Sequence, residues 1–288
     1  MNPDLTRSHE YCSRVARARA KNFYYSFLLL TRQQRRAMCA IYAFMRYCDD
    51  LSDEPGANRV AMERWRDEME NALDGRYGAH PVWPAFHYTV RRFGIPHQYF
   101  RDMIDGVASD LEPRRVETFE ELYRYCYQVA SVVGLTTIHI FGFDTPSALP
   151  LAEQCGVAFQ LTNILRDIRE DADRKRVYLP AEDLRRFGVS EEDLKQGNRS
   201  EAVLRLLRFE AERARQYYDQ SRPLLDLIHP RSRPSLEALI AIYSRLLDRI
   251  EQRNYDVFTA RVRMSALEKS WILVQSILGR PVLSAPRA

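Results

Sequence analysis

Two acid-rich stretches hold the residue types for ion chemistry. In AIYAFMRYCDDLSDE, residues 40–54, Asp49, Asp50, Asp53 and Glu54 follow a run that is apolar or aromatic apart from Arg46. Like charges three or four residues apart on a helix repel. A helix C-terminus also favours cations over anions. Either this is a solvated helix end entering the turn at Pro55-Gly56, or something positive gathers the acids. The second stretch, FQLTNILRDIREDADRKRVYLP, covers residues 159–180. At about 100° per residue, Gln160, Asn163, Asp167 and Asp171 share an arc of about 80°, with Glu170 beside it. The same rotation puts Tyr42, Arg46, Asp49 and Asp53 within about 60°. Each stripe has an arginine close by, Arg46 or Arg166.

Carboxylates and an amide oxygen are hard ligands suited to Mg²⁺, with Mn²⁺ as a substitute. Mg²⁺ usually takes one or two carboxylates plus substrate phosphates. Two facing stripes would thus hold ions around a diphosphate, and the arginines would donate paired hydrogen bonds to its oxygens. The alternative is structural: the acids pair with Arg46, Arg166, Arg169 and Arg174 in ion networks. Neither GxxxxGK[ST] nor GxGxxG occurs, so no nucleotide fold is expected.

The elements that must position these stripes are helices. Gly is scarce, 11 in 288 residues. Breaker-free segments run over 31–54, 57–74, 115–141, 147–174, 199–228 and 234–279, and residues 200–220 repeat apolar positions at three- and four-residue steps. Strand-like alternation is missing. Breakers such as Pro55-Gly56, Gly94-Ile95-Pro96 and Gly188 leave short connections. The expectation is one all-α domain over residues 1–279 with a loose tail at 280–288.

Lys plus Arg number 43 against 39 Asp plus Glu, a formal charge of +4. So mild an excess, with acids on buryable faces, disfavours DNA binding. No stretch supplies the roughly 20 apolar residues of a membrane span, and MNPDLTRSHE lacks a signal-peptide core. The five cysteines form no CxxC pair and read as reduced core residues of an intracellular protein.

In YAFMRYCDDLSDE (42–54), QLTNILRDIRED (160–171), RKRVYLP (174–180), KNFYYSFLLL (21–30) and YCYQVASVVG (125–134), the chain resembles the squalene/phytoene synthase family over nearly its whole length. The resemblance implies an all-α isoprenoid synthase bundle around a central cavity. It implies Mg²⁺ ligands at Asp49, Asp53, Asn163, Asp167 and Asp171. It places Lys21, Asn22, Arg46, Asp50, Gln160, Arg166 and Arg176 around the substrate diphosphates. Tyr42, Tyr127 and Tyr243 fall near the reacting centre, and Arg261 or Arg263 is the family's C-terminal basic residue. The run Arg174-Lys175-Arg176 is either a flap over diphosphate or a solvated helix end.

The implied reaction joins two prenyl diphosphates head to head. One substrate ionises to an allylic cation, the double bond of the other attacks it, and proton loss closes a cyclopropane. Aromatic faces steady such a cation; the cluster Phe23, Tyr24, Tyr25 and Phe27 either does this or packs the core. CDDLSDE and NFYYSFLLL lean towards farnesyl diphosphate as substrate, giving presqualene diphosphate or squalene. NADPH is implied only if the reductive half-reaction runs. The alternatives are a phytoene synthase using geranylgeranyl diphosphate and, in another class, a non-catalytic helical scaffold, which two intact stripes disfavour. The expected setting is the cytoplasm, with loose contact at the inner membrane surface and with downstream isoprenoid enzymes.

Overall fold

The computed structural model describes residues 3–20, 23–53 and 57–279, with residue 53 described by its backbone alone. Lys21, Asn22, Glu54 and the tail 280–288 lie outside the described residues.

Helix α1 (Pro3–Arg19) and the short α2 (Phe23–Phe27) lead into α3 (Arg32–Asp53). The acids at the end of α3 do not stop it: the helix runs through Asp49 and Asp50. Helices α4 (Arg59–Leu73), α5 (Trp83–Phe93) and α6 (His97–Ala108) complete the first half. Asn58 caps α4, its side chain accepting from the Ala61 amide. Phe44 of α3 sits at the middle of an aromatic core, stacked on Phe86 at 4.5 Å and Trp65 at 5.6 Å, with Phe100 edge-on at 5.6 Å. This packing rolls α3 so that its other face carries Tyr42, Arg46 and Asp49 inward.

The segment 115–141 is not one helix. α7 (Phe119–Cys126) is followed by a π-helical turn over Tyr127–Ser131 and then α8 (Val132–Phe141). Next comes α9 (Ala148–Asp173), the 26-residue helix with the second acidic stripe, which packs on α8, on α12 (Glu201–Ser221) and on α14 (Arg233–Gln252). Two glycines set how closely α9 meets its neighbours. A Cβ on Gly156 would lie 2.5 Å from the Ser131 Cα, and one on Gly134 would lie 2.9 Å from the Ala152 carbonyl oxygen. Helices α10 (Ala181–Phe187), α11 (Glu191–Gln196) and α13 (Leu224–Leu227) fill the periphery.

The segment 234–279 also divides. α14 ends at Gln252, Asn254 and Tyr255 adopt φ of 49° and 57°, and α15 (Ala266–Ile277) starts at a capping box on Ser265. Asn is among the residues that visit the left-handed region with least strain. A two-residue parallel ladder pairs β1 (Arg114–Arg115) with β2 (Arg176–Val177), the one strand pairing among the described residues, and ties the segment after α6 to the segment after α9. The fold is all-α. All five cysteines are free and buried.

Candidate active site

The helices enclose a cavity of about 540 Å³ whose walls include α2, α3, α8, α9 and α14. One part is apolar, with Phe23, Phe27, Ile41, Met45, Val133 and Leu239; the other is charged, with Arg46, Asp49, Asn163, Arg166, Asp167 and Asp171. The two acidic stripes therefore meet across one space, as their helical phases predict.

On α9, Arg166 donates through Nε to Asp167 Oδ1 at 2.8 Å, and its Nη2 bonds Oδ2. Arg261, from the segment between α14 and α15, reaches the same carboxylate at 3.0 Å and Glu170 at 3.0 Å. The C-terminal basic residue is thus Arg261 by position. Arg263 instead gives its backbone carbonyl to Arg249. On α3, Arg46 and Arg19 both pair with Asp50, which does not line the cavity. The ion-pair alternative is consequently realised in part, at Asp50 and Asp167.

Two buried polar atoms of this site have no hydrogen-bond partner: Arg46 Nε and Asn163 Oδ1. Asn163 Nδ2 faces Gln160 Oε1 at 3.4 Å, an arrangement that leaves its carbonyl oxygen as the orphan. Buried polar groups are rarely left unpaired. An orphaned donor and an orphaned acceptor in one cavity call for a ligand with both anionic and cationic character. Burial raises the Asp171 carboxyl to about 7, with the Asp167 charge adding to it against Arg176 and Arg174. A carboxylate so desolvated is primed to accept a cation. Among the described residues, no three His, Cys, Asp or Glu side chains converge to hold an ion by themselves. That fits Mg²⁺, which is completed by substrate phosphates. The hard oxygens of Asp49, Asn163, Asp167 and Asp171 suit it; the Asp53 side chain lies outside the described residues.

Burial pushes the Tyr42 hydroxyl up to about 12, so it stays protonated in the cavity wall. The Tyr243 ring stacks on Phe159 at 4.3 Å and tilts against Phe23 at 5.7 Å. Phe23 and Phe27 line the cavity, whereas Tyr24 packs on Phe27 and Tyr25 lies beneath Lys269. The aromatic cluster divides between cavity and core.

The position of Tyr127 is corrected. It does not line the cavity, and its hydroxyl, raised by burial, feels Asp102 and Glu153 instead. Tyr125 takes the cavity position. Its hydroxyl donates to Asp110 Oδ2 at 2.8 Å, Tyr178 donates to Oδ1 at 2.9 Å, and the two rings stack at 4.8 Å. Burial raises the Asp110 carboxyl although both hydroxyls stabilise its charge. Arg176 donates to the Asp110 carbonyl at 2.7 Å, fixing the turn Ser109–Leu111 to the segment after α9. Sequence reading missed Asp110, Tyr125 and Tyr178. Two tyrosines two residues apart in YCY point to opposite sides of a helix, so only one of them was ever available to the cavity.

A family model for squalene/phytoene synthase matches residues 16–268. A phytoene synthase from Arthrospira platensis is 37% identical over 301 residues, covering 98% of this chain and 97% of that one. The chloroplastic phytoene synthase 1 of Arabidopsis thaliana is 36% identical over 274 residues, which are 92% of this chain but 65% of the plant protein. Among solved structures, a dehydrosqualene synthase in complex with ligand superposes with a TM-score of 0.89 at 29% identity, covering 96% of this chain and 97% of that one. A squalene synthase from Alicyclobacillus acidocaldarius superposes with a TM-score of 0.83 at 28% identity, covering 89% and 97%.

Proposed function

Because the chain belongs to the squalene/phytoene synthase family, we propose that it condenses two prenyl diphosphates head to head. The observation that carries this reading is the pair of orphaned atoms, Arg46 Nε and Asn163 Oδ1, set among carboxylates at one part of an otherwise apolar cavity. Asp49, Asn163, Asp167 and Asp171, with Asp53, are the residues to hold Mg²⁺. When bound, Mg²⁺ neutralises diphosphate charge and weakens the allylic C–O bond. Arg46, Arg166 and Arg261 donate to diphosphate oxygens as negative charge grows on the leaving group. The rings of Phe23, Phe159 and Tyr243 offer π faces to the allylic cation. The apolar wall keeps water from that cation. Tyr42 and Tyr125 remain neutral hydroxyls that orient groups without competing as nucleophilic anions.

For substrate chain length, the relatives at 36–37% identity are phytoene synthases, which supports geranylgeranyl diphosphate. The farnesyl reading drawn from CDDLSDE stands second, favoured by dehydrosqualene and squalene synthases as structural neighbours. The test is a product assay by mass spectrometry. The protein is incubated with Mg²⁺ and either geranylgeranyl or farnesyl diphosphate, each with and without NADPH. Phytoene from the longer substrate is the expected product. Presqualene diphosphate from the shorter one alone would transfer the assignment to the farnesyl reading, and squalene only with NADPH would add the reductive step. Absence of diphosphate release from both substrates would overturn the catalytic proposal and return the scaffold reading.

A further inference from the structure

Helix α15 is apolar on both of its faces. Ile272 and Leu273 are buried, on the side that meets α14 and α2. On the opposite side, Leu267 is 83% exposed, Trp271 55%, Val274 44%, Ile277 64% and Leu278 60%. At about 100° per residue, Leu267, Trp271, Val274 and Leu278 fall within about 60° of one another, with Ile277 at the edge. A helix apolar all round is normally buried all round. Contiguous exposed apolar surface of this kind marks an interaction site.

We infer that this face of α15 rests on an anionic lipid bilayer. Three observations choose that occupant. The stripe is too small for a second copy of the chain. A 12-residue helix is about 18 Å long, so a stripe about 10 Å wide offers ~200 Å², against about 800 Å² per partner in a stable complex. The charges around it suit anionic headgroups: exposed Arg263 lies four residues before Leu267, exposed Arg32 lies four residues after exposed Leu28, and the acid of α15, Glu268, is turned onto Arg249 and Ser265. Finally, α15 packs against α2, whose Phe23 and Phe27 line the cavity, so α2 is the partition between the cavity and this face. No described helix is long and apolar enough to cross a membrane. α15 therefore lies in the interface, with Trp271 at headgroup depth. The inference rests on the proposed function only for the greasy nature of substrate and product.

Vesicle binding reads the surface without reading turnover, so the two proposals fail separately. Trp65 and Trp83 are buried at 3% and 0%, which makes Trp271 the tryptophan that senses solvent. The full chain is mixed with phosphatidylcholine vesicles and with vesicles containing about 30% phosphatidylglycerol, and flotation and tryptophan emission are recorded. The expected result is partition onto the anionic vesicles, a blue shift, and quenching by brominated lipid. The double variant Leu267→Ser, Ile277→Ser should partition at least about 10-fold less while keeping its thermal melt and its turnover in detergent. Failure of the wild type to bind, or equal binding by the double variant, would overturn the inference. Two further results would overturn it in favour of another occupant: a concentration-dependent dimer that the double variant abolishes assigns the face to a second copy. A red shift of Trp271 without vesicles on truncation after Gly279 assigns it to residues 280–288.

Discussion

Two acid-and-arginine clusters in this molecule share residue types and differ in what they leave open. In the core between α10 and α12, Arg213 Nη1 lies 2.8 Å from Asp183 Oδ2 and 2.9 Å and 3.0 Å from the two oxygens of Glu210. Its guanidinium also lies over the Phe119 ring at 4.1 Å. This triad is buried and closes on itself. The cavity cluster of Arg46, Asp49, Asn163, Arg166, Asp167 and Asp171 is also largely buried, yet it contains an orphaned donor and an orphaned acceptor. Acidic residues beside arginines are therefore no signature of a site by themselves. The signature is unsatisfied hydrogen-bonding capacity facing a space a ligand can enter.

Removing the arginine of the closed cluster should have the largest effect. Arg213→Met strands two buried carboxylates and is expected to cost about 3–5 kcal/mol of stability in denaturant unfolding, with turnover of the folded fraction unchanged. The converse holds at the open cluster. Asp167→Asn is expected to lower kcat for diphosphate release by about 10²–10³, equivalent to about 3–4 kcal/mol, while the melting temperature stays near that of the wild type. Full activity in that variant would remove Asp167 from the site. The smallest effect is a slope. Burial, with the Asp183 charge in support, raises Glu210 to about 8 from its ordinary 4.5. The native state then binds the proton more tightly than the unfolded chain does. The associated stability is fully present below about pH 4.5 and is lost as pH rises through about 8. Unfolding free energies measured across that range should fall with pH in the wild type, and Glu210→Gln should flatten that part of the fall.

Much of the cavity cluster was legible because it lies on two long, uninterrupted helices. Phase alone brings Tyr42, Arg46 and Asp49 of α3 to Gln160, Asn163, Asp167 and Asp171 of α9. What escaped lies where the helical period fails. Asp110 sits in a short turn without periodicity, and Arg261 arrives from a segment hidden within an apparently continuous stretch. Tyr127 was chosen over Tyr125 because the extra residue of a π turn changes phase without any Gly or Pro to announce it. From Tyr125 to Ile138 an ideal α-helix would turn about 220° beyond whole turns, yet both residues line the same cavity. The closed triad was invisible for a different reason. Asp183, Glu210 and Arg213 come from two helices, and no one-dimensional pattern records their meeting.

The close approaches at Gly156 and Gly134 bear on how the cavity can change. At that level α9 touches the π turn and α8 through backbone atoms, so the bore there is set by main chain against main chain. Side-chain exchange elsewhere can lengthen or shorten the space, as moving a piston does within a cylinder. At these two glycines even one added methyl group must push whole helices apart, so the gauge of the cylinder is held by the smallest residues lining it.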